Sequence, residues 1–153
     1  MKSKKNIVLV GMMGSGKSVI GKILAKKVKL QFIDIDAKIE KNQKSTISEI
    51  FKKKGENYFR EIEEIISISC LKLEKKIISL GGGGYINANI RKQCKINSIS
   101  VWLNWKPGIL IDRINNNKNR PLANNLDSNE IKQLIIERSK IYNLSDHQIN
   151  CDK

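Results

Sequence analysis

A chain of 153 residues with 29 Lys and Arg against 15 Asp and Glu carries a formal net charge of +14. Such a length makes one domain, expected to span 1–153 and to bury about two-thirds of its unfolded surface. No apolar run nears the roughly 20 residues of a membrane span, and Cys70, Cys94 and Cys151 lack paired or metal-ligand spacing, which fits reduced thiols in the cytoplasm.

Lys2, Lys4 and Lys5 before Ile7–Val10 sketch a leader peptide, but the apolar stretch is too short for one. Ile7–Val10 instead reads as a first strand, buried on both faces. It runs into Gly11-Met12-Met13-Gly14-Ser15-Gly16-Lys17-Ser18, the G-x-x-x-x-G-K-[ST] phosphate loop in its strand–loop–helix setting. A helix follows from Ser18 to about Val28, with Val19, Ile20, Ile23, Leu24 and Val28 at helical spacing. Phe32-Ile33-Asp34 is a second strand, and Asp36 is placed to cap a helix over Ala37–Lys41. Thr46 and Glu49 form a capping-box pattern for a helix over Ile47–Lys54 that Gly55 ends.

Glu56 to about Leu73 reads as a long amphipathic helix, and Ile77–Leu80 as a third strand ended by Gly81–Gly84. Asn87 caps a short helix ending near Cys94, and Ser98–Leu103 is a fourth strand. Pro107 opens a helix through Asn115. The asparagine-rich stretch from Asn115 to Asn129, which includes Arg120-Pro121, reads as a loop. Ser128 or Asn129 starts a helix through about Leu144, and Gln148–Cys151 is a last strand. Alternating strands and helices predict an α/β three-layer sandwich around a five-stranded parallel sheet.

The chemistry gathers at the C-terminal strand edges, where such sheets bind ligands. Backbone N–H groups of the phosphate loop and a helix N-terminus face a polyphosphate, Lys17 reaches the β- and γ-phosphates, and Ser18 ligates Mg²⁺. Asp34 is the metal-side acid, and Asp36 is placed to bind or deprotonate an acceptor hydroxyl. Read alone, the pair equally fits a helix cap and a surface acid. Gly81–Gly83 would let a ligand approach the backbone closely. Ser79, where a second metal-side acid often stands, offers only a hydroxyl. Five of the 29 basic residues are arginine, namely Arg60, Arg91, Arg113, Arg120 and Arg138. An arginine kept in a Lys-dominated chain marks a place that needs a planar, bidentate donor.

Together these segments resemble the shikimate kinases. The resemblance rests on Gly11–Ser18, Phe32–Asp36, the Gly55–Glu63 segment with Phe59-Arg60 and Glu63, and Ser79–Gly83. It continues with Arg113, Arg120-Pro121-Leu122, and Glu137-Arg138 with Tyr142. It implies the P-loop kinase strand order 2-3-1-4-5, a substrate-binding segment at about 34–63 and a lid at about 114–127. It further implies phosphoryl transfer from ATP to the 3-hydroxyl of shikimate by a cytoplasmic monomer, with Mg²⁺ as cofactor.

The implied roles follow residue by residue. Lys17, Asp36 and Arg120 are catalytic, and Ser18 and Asp34 hold the metal. Gly14, Ser15, Gly16, Lys17, Ser18 and Val19 bind the nucleotide with Arg113, which stacks on adenine, and Arg120. Asp36, Arg60, Gly81, Gly82, Gly83 and Arg138 bind shikimate, and Arg91 has no assigned role. The family continues past its last strand into an adenine-contacting loop and a closing helix, whereas this sequence ends at Lys153 and departs from the pattern over Tyr142–Gln148. A more open adenine site, with weaker nucleotide affinity or lower stability, is the resulting expectation. The rival readings are another small-molecule kinase, such as a gluconate or nucleoside-monophosphate kinase, and a non-catalytic nucleotide-binding module. A nucleic-acid binder is not expected, because the Lys excess lacks aromatic interleaving.

Overall fold

The computed structural model describes residues 5–117 and 124–152. Five short strands, rich in β-branched residues, form one sheet: β1 (Asn6–Val10), β2 (Gln31–Asp34), β3 (Lys76–Ser79), β4 (Ser98–Asn104) and β5 (His147–Asn150). All pairings are parallel and the order is β2-β3-β1-β4-β5. Helices α1 (Lys17–Val28), α2 (Ile35–Gln43), α3 (Ile47–Leu71), α4 (Ala88–Asn97), α5 (Pro107–Asn115) and α6 (Ser128–Tyr142) cover both faces. Their apolar stripes meet Val8, Val10, Ile33, Ile78 and Trp102 of the strands in one core.

Register matters more here than strand length. Asp34 pairs with Ser79, Ser79 with Leu9, and Val10 with Trp102, so four strands end at one level. The loops that leave this edge are therefore neighbours in space, though their residues lie up to about ninety positions apart in sequence. At the opposite end Asn6, fully buried, donates to Leu71 O (3.0 Å) and Leu73 O (2.6 Å) and accepts from Lys76 N (2.9 Å). One amide thereby satisfies three backbone groups where α3 turns into β3.

Several boundaries differ from the sequence pattern. The cap of α2 is Asp34, whose carboxylate accepts from Ala37 N at 3.2 Å, and not Asp36. The helix starts at Ile35 because Ile35 and Ile39, one turn apart, are both fully buried. Asp36 then occupies the first helical turn. Similarly α6 is capped by Asp127 in a reciprocal box with Glu130, and not by Ser128 or Asn129.

The expected box of Thr46 and Glu49 opens α3. Gly55 breaks its geometry at φ 83° and ψ 171°, so two helical segments meet there. Smaller shifts of one to three residues occur at the ends of α3, α4, α6, β3 and β5, where the last turn or pair of an element has no sharp sequence marker.

Gly21 and Gly108 make opposite predictions. A Cβ on Gly21 would collide with the Phe32 ring, whereas one on Gly108 meets nothing within 4 Å. Gly21→Ala is expected to cost about 1–3 kcal/mol, and Gly108→Ala to gain up to about 1 kcal/mol. Urea unfolding measures both, and equal effects would contradict the packing of α1 on β2.

Candidate active site

The phosphate loop joins β1 to α1. Gly11, Gly14 and Gly16 hold φ values of 145°, 80° and 86°, which side chains resist. Gly16 occupies the cap position of α1, where no side chain bonds the helix terminus and no acid stands in the first turn. These N–H groups and the helix dipole suit an anion. Lys17 is buried and curls back over the loop, donating to Gly11 O (2.8 Å), Met12 O (2.9 Å) and Ser15 Oγ (3.4 Å). The Ser18 hydroxyl donates to the Asp34 carboxylate.

Beside the loop lies a cavity of about 240 Å³, lined by Gly14, Gly16, Lys17, Ser18 and Val19 together with Asp34, Asp36, Ser79, Gly81 and Gly82. The glycine run forms its floor, and each glycine faces a different functional group. A Cβ on Gly81 would lie 2.7 Å from Asp36 Oδ1 and 2.9 Å from Glu63 Oε1. One on Gly82 would lie 3.4 Å from Arg138 Nη1, and one on Gly83 2.5 Å from Arg60 Nη1. Two acids and two guanidinium groups thus converge on three residues that have no side chains.

Charge in this pocket is expensive. Burial, with the neighbouring charges of Asp34 and Glu63, pushes the Asp36 carboxyl up to about 6, against the opposing pull of Lys17. Burial also raises Glu63, although Arg60 Nη1 sits 2.6 Å from its carboxylate and stabilises the charge. Arg60 additionally reaches Glu56 at 3.4 Å and lies over the Phe59 ring.

Arg138 leans on the phosphate loop, with Nη1 3.9 Å from Met12 Sδ. Tyr142, one turn further along α6, donates its hydroxyl to Gly82 O. Burial pushes that hydroxyl up to about 12, so it remains a donor. Arg113 extends from α5, donates to Gly14 O at 3.1 Å and stacks over the Trp105 ring.

Of the residues read from sequence, Gly14, Gly16–Val19, Asp34, Asp36, Arg60, Gly81–Gly83 and Arg138 surround this one cavity or its floor, Arg113 stands at its loop edge, and Ser15 is buried within the loop without lining the cavity. Arg120, and 118–123 of the expected lid, lie outside the described residues. Arg91 donates to Tyr85 O (2.9 Å) and Ile86 O (2.6 Å), so it braces the 3₁₀ turn Gly84–Ile86 after the glycine run.

Glu63, Tyr142 and Trp105 carry contacts that the sequence reading left without a role. A signal existed for Glu63: it is an acid within the buried stripe Phe59, Glu63, Ile66, Ser67 and Cys70, three residues after Arg60. Ser18 and Asp34 offer hard oxygen donors that fit a Mg²⁺ completed by phosphate and water. Among the described residues no group of three or more His, Cys, Asp or Glu forms a metal cage, and that ion needs none.

A 2-3-1-4-5 parallel sheet, with a phosphate loop after β1 and an acid–guanidinium pocket beside it, defines a small-molecule kinase of the P-loop class. The shikimate kinase family model matches residues 13–153, and the chain belongs to that family. It is thereby an ATP-dependent kinase. The chain is 44% identical over 149 residues to a shikimate kinase of Sulfurihydrogenibium sp., covering 97% of this chain and 89% of that protein. Shikimate kinase from Acinetobacter baumannii, solved in complex with shikimate, superposes with a TM-score of 0.91 at 30% identity, covering 97% and 84% of the two chains. A gluconokinase from Sinorhizobium meliloti shares the fold alone, with a TM-score of 0.60 at 16% identity.

Tyr142→Phe removes the donor to the Gly82 carbonyl and is expected to cost about 1 kcal/mol. Denaturant titration reads this loss, and an unchanged midpoint would contradict the bond.

Proposed function

We propose that the chain transfers the γ-phosphoryl group of ATP to the 3-hydroxyl of shikimate, giving shikimate 3-phosphate and ADP. One observation carries this reading: Asp36, Glu63, Arg138 and Arg60 converge on the bare backbone of Gly81–Gly83 beside Lys17. A compact ring bearing hydroxyls and one carboxylate matches that set. Arg60 and Arg138 bind the carboxylate through paired N–H donors, and the ring rests against the glycine backbone.

Asp36 accepts the proton of the attacking hydroxyl. The new bond forms between that oxygen and the γ-phosphorus, the bond to the β-phosphate bridging oxygen breaks, and its electron pair leaves with ADP. Lys17 exchanges its loop carbonyl partners for phosphate oxygens, and the amides of the loop neutralise the rest. Ser18 and Asp34 would hold Mg²⁺, which supplies charge neutralisation at the phosphates. Arg113 stacks on adenine, and Arg120 is assigned to the phosphates by the family resemblance. In this reading the enzyme works as a cytoplasmic monomer; no helix of the described residues is long and apolar enough to cross a membrane.

Gluconate presents a flexible open chain to a floor shaped for close ring contact, and a nucleoside monophosphate would have to seat its base among the charged groups around Gly81–Gly83. The gathering of Asp36, Glu63, Arg60 and Arg138 beside Lys17 speaks against a non-catalytic module. ADP release from Mg-ATP decides among these. Shikimate should stimulate it far above gluconate or any nucleoside monophosphate, and equal stimulation by either would overturn the reading. Arg60→Lys should raise KM for shikimate about tenfold while leaving kcat nearly unchanged; an unaltered KM would remove Arg60 from the carboxylate site.

Asp36 tests function against stability. Its carboxyl titrates near 6 in the folded chain and near 3.8 when exposed, so folding stability falls as pH rises through that window. Asp36→Asn is therefore expected to add about 1–3 kcal/mol at neutral pH while lowering kcat at least about 100-fold. The wild-type rate should fall below about pH 6 as Asp36 takes up its proton. A variant that is fully active, or less stable than wild type, would contradict a buried, ionised base.

A further inference from the structure

The nucleotide side of the site holds a contact set with no role so far. Trp105 is half-buried just past the end of β4, where its backbone is pinned on both flanks. Cys151 N donates to Asn104 O at 2.8 Å, and Lys106 N donates to the Asp152 carboxylate at 2.8 Å. The side chain held this way touches the phosphate loop and its neighbouring arginine at once. Its indole Nε1–H donates to Ser15 O at 2.9 Å. Its ring lies 4.0 Å from the Arg113 guanidinium carbon, and Arg113 Nη1 donates to Gly14 O at 3.1 Å.

Each contact has a consequence for a bound nucleotide. The C=O and N–H of a trans peptide point in opposite directions. Holding the Ser15 carbonyl against the indole therefore turns the Gly16 N–H away from it, and Gly16 lines the phosphate cavity. The stack removes rotational freedom from a long, exposed arginine, which lowers the entropy lost when its plane meets a base. Leu, Phe or Ala at 105 would lose the N–H bond, and Leu or Ala would lose the stack as well.

We propose that Trp105 is a positioning residue for the nucleotide, joining the Ser15 carbonyl of the phosphate loop to the Arg113 guanidinium at the base. The two ends of ATP are then read by one preorganised unit. The proposal rests on the assignment of Arg113 to adenine made above, but not on the identity of the phosphoryl acceptor.

Titration of the full chain with ADP and Mg²⁺, in the absence of shikimate, tests it by calorimetry and by tryptophan emission. Of the chain's 2 tryptophans, Trp102 is buried in the core and Trp105 should report the nucleotide. Trp105→Phe is expected to weaken ADP binding about fivefold, the worth of one hydrogen bond, to abolish the ADP-induced emission change, and to leave shikimate affinity unchanged. ADP affinity within twofold of wild type, a persisting emission change, or equal weakening of both ligands would each overturn the proposal. Arg113→Lys keeps Trp105 and the charge but loses the plane. It should bind ADP more weakly with a diminished emission response, and an undiminished response would also overturn it. A chain that fails to phosphorylate shikimate but passes these titrations would separate this inference from the proposed reaction.

Discussion

The pocket depends on the absence of side chains at residues 81–83, because Asp36 and Glu63 occupy the space a Cβ would take at Gly81, and Arg60 that at Gly83. Carboxylates and guanidinium groups cannot pack this closely around any larger residue. The glycine run therefore determines how near the charges approach each other, and with it the electrostatics of the site. Parallel register supplies the rest. Ser79, the last residue before the run's strand turns out, sits between Asp34 and Leu9, so the floor lies beside both the acids and the phosphate loop.

That crowding has a thermodynamic side. Asp36 and Glu63 crowd the same small space over Gly81, and burial first, with the neighbouring charges of Asp34 and Glu63 behind it, raises the Asp36 carboxyl. Arg60 relieves Glu63, while Lys17 opposes the shift of Asp36 from across the cavity. A group destabilised in this way accepts a proton more readily, which is the property a base needs near neutral pH. The packing that compensates is ordinary: Tyr142 closes over Gly82, Arg91 braces the following turn, and Asn6 seals the far end of the sheet.

Much of this was legible in the sequence because the strongest signals are local. The phosphate loop, Asp34, Asp36, the glycine run and the capping box of Thr46 each announce themselves within a few residues. Arginine scarcity pointed to Arg60, Arg113, Arg120 and Arg138; Arg60, Arg113 and Arg138 stand beside the cavity or its floor, and Arg120 lies outside the described residues. It also pointed to Arg91, which serves the backbone instead. What escaped notice depends on tertiary contact. Asp34 rather than Asp36 caps α2 because burial of Ile35 and Ile39 sets the helix start. Glu63 looks like one more surface acid until the helix face is known, and the contact of Trp105 with Ser15 depends on Cys151 and Asp152, which hold the backbone on either side of it. No periodicity in the chain encodes those meetings.

In the proposed reaction, substrate choice is set by acids and guanidinium groups meeting over a bare backbone. A crystal structure of the chain grown with ADP and shikimate examines it most directly. The shikimate carboxylate is expected between Arg60 and Arg138, its ring against Gly81–Gly83, and its 3-hydroxyl within hydrogen-bond reach of Asp36. A carboxylate bound away from both arginines, or a ring held off the glycine backbone, would contradict it.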